Sequence, residues 1–231
     1  MFNILILEDE KDLGLTIAEN LTTEAQKCFL FQSCLEVIKD INNKQYDIYI
    51  FDINLGDGNG LDVADKILKK FPSSPIIFFS AISDPELRLR GLELGAFDFI
   101  NKPFTLKELQ IKVDRIKKEL VLLKNQSSIM EFGPLKVDFS KFEITDARGA
   151  IITLTHKECA ILKMFIDNLN YVISRDQILD KVWGQDSFPT LRTIDNYIVN
   201  LRKWCDSCPN EILKIQSIRG IGYKMSSKGK I

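Results

Sequence analysis

The sequence is poor in the residues that build redox or multi-ligand metal centres. It has one histidine, His156, and five cysteines, at 28, 34, 159, 205 and 208. An odd cysteine count, with most of the cysteines inside periodic apolar segments, reads as free thiols in a reducing compartment. Cys205-x-x-Cys208 has a metal-like spacing, but a second CxxC is missing and His156 is far away in sequence, which argues against zinc. No apolar run approaches the ~20 residues of a membrane span. Met1-Phe2-Asn3-Ile4-Leu5-Ile6-Leu7-Glu8-Asp9 lacks a basic n-region and turns acidic at once, so it reads as a first strand and not a signal peptide. The expectation is a cytoplasmic protein without membrane contact. The first ~120 residues also show no internal sequence repeat.

What is present is ordinary in bulk and uneven in distribution. Hydrophobic residues make up 45% and charged residues 27% of 231 residues, enough for one large or two ordinary domains. The net charge of −1 conceals an asymmetry. Residues 1–128 carry 16 Lys+Arg and 20 Asp+Glu, whereas residues 192–231 carry 8 and 3. An acidic front and a basic tail end suggest an anionic partner for the latter.

The N-terminal half alternates short apolar runs with amphipathic segments. Runs at 3–7, 28–32, 48–52, 75–80 and 97–100 read as strands, with helical periodicity between them. That alternation predicts a doubly wound, five-stranded parallel sheet. The central run, Ile48-Tyr49-Ile50-Phe51, stops at Asp52 and meets a Gly/Asp/Asn cluster, as a buried strand ending in a loop does. Open α/β sheets bind ligands at the C-terminal ends of their strands. Three of the five strand ends carry chemistry, Glu8-Asp9, Asp52 and Ser80, and Lys102 comes just after a fourth. Crowded carboxylates need a cation, and oxygen-only ligands at an open site suit Mg²⁺. Asp52 could then attack a phosphoryl group, with Lys102 pairing the phosphate oxygens and Ser80 bonding one of them.

The second half reads differently. Short strands are expected over 132–137, 142–145 and 151–154, separated by Gly133-Pro134 and Arg148-Gly149 turns. Thr155-x-x-Glu158 and Ser174-x-x-Gln177 each have capping-box spacing at the start of a helix. A further helix is expected over 192–204, with Ile194, Tyr197, Ile198 and Leu201 inward. Its outward face is expected to carry Arg192, Thr193, Asn196, Val199, Asn200, Arg202 and Lys203. A glycine hairpin tip, Arg219-Gly220-Ile221-Gly222, closes the chain. Helix, helix, loop, basic helix and hairpin describe an α+β winged helix. Such a helix fits the major groove of double-stranded DNA, Asn and Arg can read base edges, and Arg219 can reach a minor groove.

Two sets of motifs resemble a known family. Ile4-Leu5-Ile6-Leu7-Glu8-Asp9-Glu10, Phe51-Asp52-Ile53-Asn54-Leu55, Phe79-Ser80-Ala81 and Gly95-Ala96-Phe97-Asp98-Phe99-Ile100-Asn101-Lys102-Pro103-Phe104 resemble a receiver domain of flavodoxin-like fold. Leu154-Thr155-x-x-Glu158, Val182-Trp183-Gly184, Arg192-Thr193-Ile194-Asp195, Leu201-Arg202-Lys203 and Ile218-Arg219-Gly220-Ile221-Gly222-Tyr223 resemble an effector domain. Together they are similar to a two-component response regulator of the OmpR/PhoB family. The resemblance implies a receiver at 1–122, a linker at 123–129 and a DNA-binding domain at 130–231. It implies that Asp52 takes phosphate from a histidine kinase, that Glu8, Asp9, Asp52 and the Asn54 carbonyl bind Mg²⁺, and that Lys102-Pro103 is cis. Ser80 and Phe99 would form a switch, with the ring turning inward as Ser80 moves. Arg88, Glu93, Asp98, Glu108 and Lys112 match charged positions of a homodimer face, and the loop at 184–191 is where RNA polymerase would be contacted. Gly56 replaces a usual proline, which suggests a looser loop after Asp52. An aspartyl phosphatase and a constitutive DNA binder are the competing readings; the first usually needs a second aspartate where Asn54 stands.

Overall fold

The computed structural model describes residues 1–81, 85–125, 129–183, 191–206 and 212–227. They form two compact units, Met1–Leu120 and Val121–Ile231. Among these residues no helix is long and apolar enough to cross a membrane.

The first unit is a parallel sheet in the order β2 (Gln26–Phe31), β1 (Phe2–Leu7), β3 (Ile48–Asp52), β6 (Ile76–Ala81), β7 (Asp98–Lys102). The central strand β3 is buried along its whole length because helices cover both faces of the sheet. Ile4, Ile6, Ile48, Ile50, Ile77 and Phe79 pack with Ile17 of α1 (Lys11–Leu21) and Val113 and Ile116 of α5 (Leu106–Asn125). A row of rings lines the sheet: Tyr46, Tyr49, Phe51, Phe78 and Phe99 succeed one another at centroid distances of 5.9, 6.0, 6.3 and 5.5 Å. Strand order reverses on either side of β1 and β3, the crevice where such sheets take ligands.

The loop after β3 is a miniature hairpin that sequence periodicity does not reveal: β4 (Asn54–Leu55) pairs antiparallel with β5 (Gly58–Asn59). It leads into α3 (Gly60–Lys70), capped by the Asn59 side chain on the Leu61 N–H at 2.8 Å. Gly60 is required there, since a Cβ would lie 2.0 Å from the Asp52 carbonyl oxygen. The remaining helices of this unit are α2 (Cys34–Asp40) and α4 (Pro85–Leu94).

Expected linker residues 123–125 are helical, as the end of α5, and β8 (Ile129–Phe132) begins at 129; residues 126–128 lie outside the described ones. The run expected as one strand over 132–137 is a hairpin, β8 with β9 (Leu135–Asp138), because Gly133 takes φ +59° at its turn. β10 (Glu143–Thr145) and β11 (Ile151–Thr153) complete an antiparallel sheet. Both capping boxes form, opening α6 (His156–Asp167) and α7 (Arg175–Val182). After α8 (Leu191–Asp206), β13 (Leu213–Ile218) and β14 (Gly222–Ser227) make the final hairpin, joined by β12 (Val172–Ser174). Gly222 lets β12 in, since its Cβ would lie 2.0 Å from the Ile173 carbonyl oxygen.

Candidate functional sites: an acidic pocket and an outward helix face

The C-terminal ends of β1, β3 and β7 converge. Ligand oxygens of Glu8, Asp9 and Asp52 lie within 4.8 Å of one another. Glu8 and Asp52 are buried, at 1% and 7% exposure, whereas Asp9 is exposed. The Lys102 ammonium sits between the buried pair, donating to Glu8 Oε2 at 2.8 Å and to Asp52 Oδ2 at 2.5 Å. An ammonium has three N–H donors, so one is left for a further oxygen. Burial pushes the Glu8 carboxyl above its ordinary value, with the Lys102 hydrogen bond pulling the other way. For Lys102, burial lowers the pKa, but hydrogen bonds and charge from Asp52 and Glu8 outweigh it and the net shift is upward.

The loop that carries Asn54 is held at several points, against the expectation of looseness. Asn54 donates its N–H to Asp52 Oδ1 at 3.0 Å. Gly56 donates its N–H to Asp9 Oδ2 at 2.9 Å, a bond that proline has no hydrogen to make. Asp57 accepts from the Cys34 and Leu35 N–H groups at the start of α2, at 3.0 and 3.3 Å. Those bonds, the Cys34 one foremost, hold the Asp57 carboxyl below its usual range. Sequence reading missed Asp57, which looked like one more loop residue.

Ser80 is buried and donates to Asn101 Oδ1 at 3.3 Å, its register partner across β6 and β7. Phe99 is 4% exposed and stacked on Phe78; Gly91 of α4 leaves room for it, as a Cβ there would meet the ring at 2.6 Å. The Arg88 guanidinium lies 5.2 Å from the Phe99 centroid and donates to Asn101 Oδ1 at 3.2 Å. The peptide Lys102-Pro103 is cis.

On the expected dimer face, Glu93 and Glu108 are exposed and Arg88 and Lys112 half-buried. Asp98 is not a free surface charge. It is 4% exposed, bridges Lys112 of the same chain at 2.8 Å, and accepts the Phe99 N–H. It lies at the start of β7, where Lys112 of α5 covers it.

In the second unit the exposed described residues of α8 are Asp195, Asn196, Val199, Asn200, Lys203 and, at its end, Asp206. Thr193 corrects the sequence reading: it is 1% exposed, on the buried stripe with Tyr197 and Leu201 at helical spacing. The Arg192 side chain and residues 184–190 lie outside the described residues, as does Cys208. Arg202 is half-buried and bonds the Ile215 carbonyl at 3.1 Å and Ser217 Oγ at 2.7 Å, tying α8 to the hairpin. Asn200 donates to Glu158 Oε1 at 3.2 Å, so the capping-box glutamate also steadies the outward face. Asp195, an acidic group on that outward face, is engaged by the Tyr223 hydroxyl and by Arg175 at 3.4 Å. Arg219 is exposed at the hairpin tip beside Gly220, whose φ is +74°.

Two families match this chain. Residues 4–114 match the response regulator receiver domain, and residues 149–225 match the family described as transcriptional regulatory protein, C terminal. The chain is 34% identical to the transcriptional regulatory protein CssR of Bacillus subtilis (strain 168), covering 98% of this chain and 99% of that protein. It is 33% identical to the response regulator ArlR of Staphylococcus aureus (strain Mu50 / ATCC 700699), covering 96% and 99%. Among solved structures, the Thermotoga maritima response regulator DrrB, described as an OmpR/PhoB homolog, aligns with a TM-score of 0.51 at 26% identity, over 98% of this chain and 100% of that one. A mutant of RitR aligns at 0.74 and 24% identity with the same coverage, a likeness of fold.

Proposed function

This chain belongs to the OmpR/PhoB family of two-component response regulators, and from that premise we propose that phosphorylation of Asp52 controls its binding to DNA. The observation that carries the reading is the single ammonium of Lys102 shared by Glu8 and Asp52, with Asp9 within ligand distance. Three carboxylates so close are favourable only with cationic charge among them. The oxygen-only donor set of Glu8, Asp9, Asp52 and the Asn54 carbonyl suits Mg²⁺, which would neutralise charge on the transferring phosphoryl group. Asp52 supplies the nucleophilic oxygen as the phosphorus–nitrogen bond of a histidine kinase's phosphohistidine breaks. Lys102 moves from the Asp52 carboxylate to the new phosphoryl oxygens, and Ser80 donates to another. The domain assignment follows the same reading, a receiver over 1–122 and an effector over 130–231, with the expected linker over 123–129 taken up in part by the end of α5 and the first residue of β8.

Phosphorylated receivers pair through the α4–β7–α5 face, where Ile111 adds apolar surface at 58% exposure. Ion pairs made across it by the half-buried Arg88 and the exposed Glu93 and Glu108 contribute ~0–1 kcal/mol each, so the pairing is weak and salt-sensitive. Asp98 and Lys112 support that face from within one chain. The paired effector units then bind a tandem DNA repeat through α8 and Arg219, and the loop at 184–191 meets RNA polymerase.

The test uses acetyl phosphate and Mg²⁺ with the full chain. Mass spectrometry is expected to find one added phosphoryl group, lost in Asp52→Ala. Phosphorylation is expected to raise affinity for promoter DNA at least tenfold. Phosphate uptake by Asp52→Ala, or DNA affinity unmoved by phosphorylation, would overturn the proposal.

A further inference from the structure

Two parts of the expected switch sit in positions that do not go together. Phe99 is inward, stacked at the end of the row of rings. Ser80, meanwhile, donates to Asn101 and to none of the pocket carboxylates. The two positions coexist in this structure. Phe99 has no hydroxyl to draw it outward, and offset stacking holds it in. One residue bonds both Ser80 and α4 directly.

Asn101 occupies that place. Its Oδ1 accepts from Ser80 Oγ at 3.3 Å and from Arg88 of α4 at 3.2 Å. The amide orientation follows from chemistry: a guanidinium only donates, so the atom facing Arg88 is the oxygen. The Ser80 hydroxyl must then be the donor in its own bond to that oxygen. A hydroxyl has one proton, so Ser80 can give it to Asn101 or to a phosphoryl oxygen, not to both.

We propose that Asn101 is a positioning residue of the phosphorylation switch: its amide oxygen holds the Ser80 hydroxyl away from the phosphoryl group and joins that hydroxyl to Arg88 of α4. This rests on Asp52 being the phosphoacceptor. When Ser80 turns to the phosphoryl group, Asn101 loses one of two donors, and the tether on Arg88 changes at the face proposed for pairing. The bond to Asn101 therefore opposes the phosphorylated state, and removing it favours that state.

Calorimetric titration of the full chain with beryllofluoride, a phosphoryl mimic, at saturating Mg²⁺ reads this directly. A long neutral hydrogen bond is at the weak end of its range, so Asn101→Ala is expected to bind beryllofluoride about threefold tighter. Asn101→Val, which places a strand-favouring β-branched residue there without an amide, is expected to show the same gain. Ser80→Ala is expected to weaken binding, and adding Asn101→Ala to it is expected to change nothing further, since the pair acts through one proton. Unchanged affinity in both Asn101 variants overturns the proposal. So does a threefold gain that persists in the Ser80→Ala background. A wild-type chain that binds no beryllofluoride overturns the phosphoacceptor assignment itself, whereas unchanged Asn101 variants in a binding-competent chain sink only the role of Asn101.

Discussion

The two units keep their chemistry in opposite places. In the first, Glu8, Asp52 and Ser80 are buried at strand ends, and a lysine from β7 neutralises what the sheet brings together. In the second, the candidate DNA-facing groups Asn196, Asn200, Lys203 and Arg219 are outside. A pocket that handles a small anion must restrict water and fix charges within a few ångström. A surface that meets a long polyanion needs only outward donors and cations on a rigid helix. The first site is thus sensitive to sub-ångström shifts in backbone, the second to the count of exposed charges.

The largest expected effect comes from the two glycines over which each unit closes. Gly60→Ala presses on the Asp52 carbonyl and Gly222→Ala on the Ile173 carbonyl, each with a 2.0 Å clash to backbone. Each is expected to destabilise its own unit by at least about 1–3 kcal/mol. Calorimetric melts should show one transition lowered and the other unmoved. Only Gly60→Ala should also slow phosphorylation by acetyl phosphate.

A second contrast lies in pH. The sole histidine, His156, is buried in the second unit against Phe142, at 4.4 Å between ring centres. Burial, with Lys157 next, pushes its pKa down to about 3 from 6.5. A depressed pKa means that the unfolded chain takes the proton first. Its stabilising contribution is therefore full above pH 6.5 and declines as pH falls toward 3. Glu8 in the first unit has the opposite sign: its pKa is raised, so its contribution is full below the ordinary 4.5 and lost as pH rises through the folded value. Between pH 6.5 and 5 the second unit's melting point is expected to drop by roughly 5–10 °C while the first holds. His156→Phe should abolish most of the drop.

The smallest effect concerns salt. Lys203→Ala and Arg219→Ala are each expected to flatten the salt dependence of DNA binding by about one unit of slope. Neither should alter phosphorylation. Thr193→Val, at a buried site, should leave the slope alone.

Legibility followed the range of the interaction. Strand ends at Asp52 and Lys102, the capping boxes at Thr155 and Ser174, and the inward stripe of α8 depend on residues a few positions apart, and sequence patterns report those. Thr193 was misjudged because a threonine at a helix start suits either face, and only packing chooses between them. Asp57 and Asn101 went unread because their partners, Cys34 and Ser80, are 23 and 21 positions away.

The order of residues alone determined an acidic, alternating first half, a capped and basic second half, and which aspartate ends the central strand. Folding decided that Lys102 lies between Glu8 and Asp52, 94 and 50 residues distant, that Phe99 stacks inward, and that Ser80 answers to Asn101. The reason is physical: local periodicity fixes which face a side chain takes, but only the pairing of strands fixes whose proton or charge it meets.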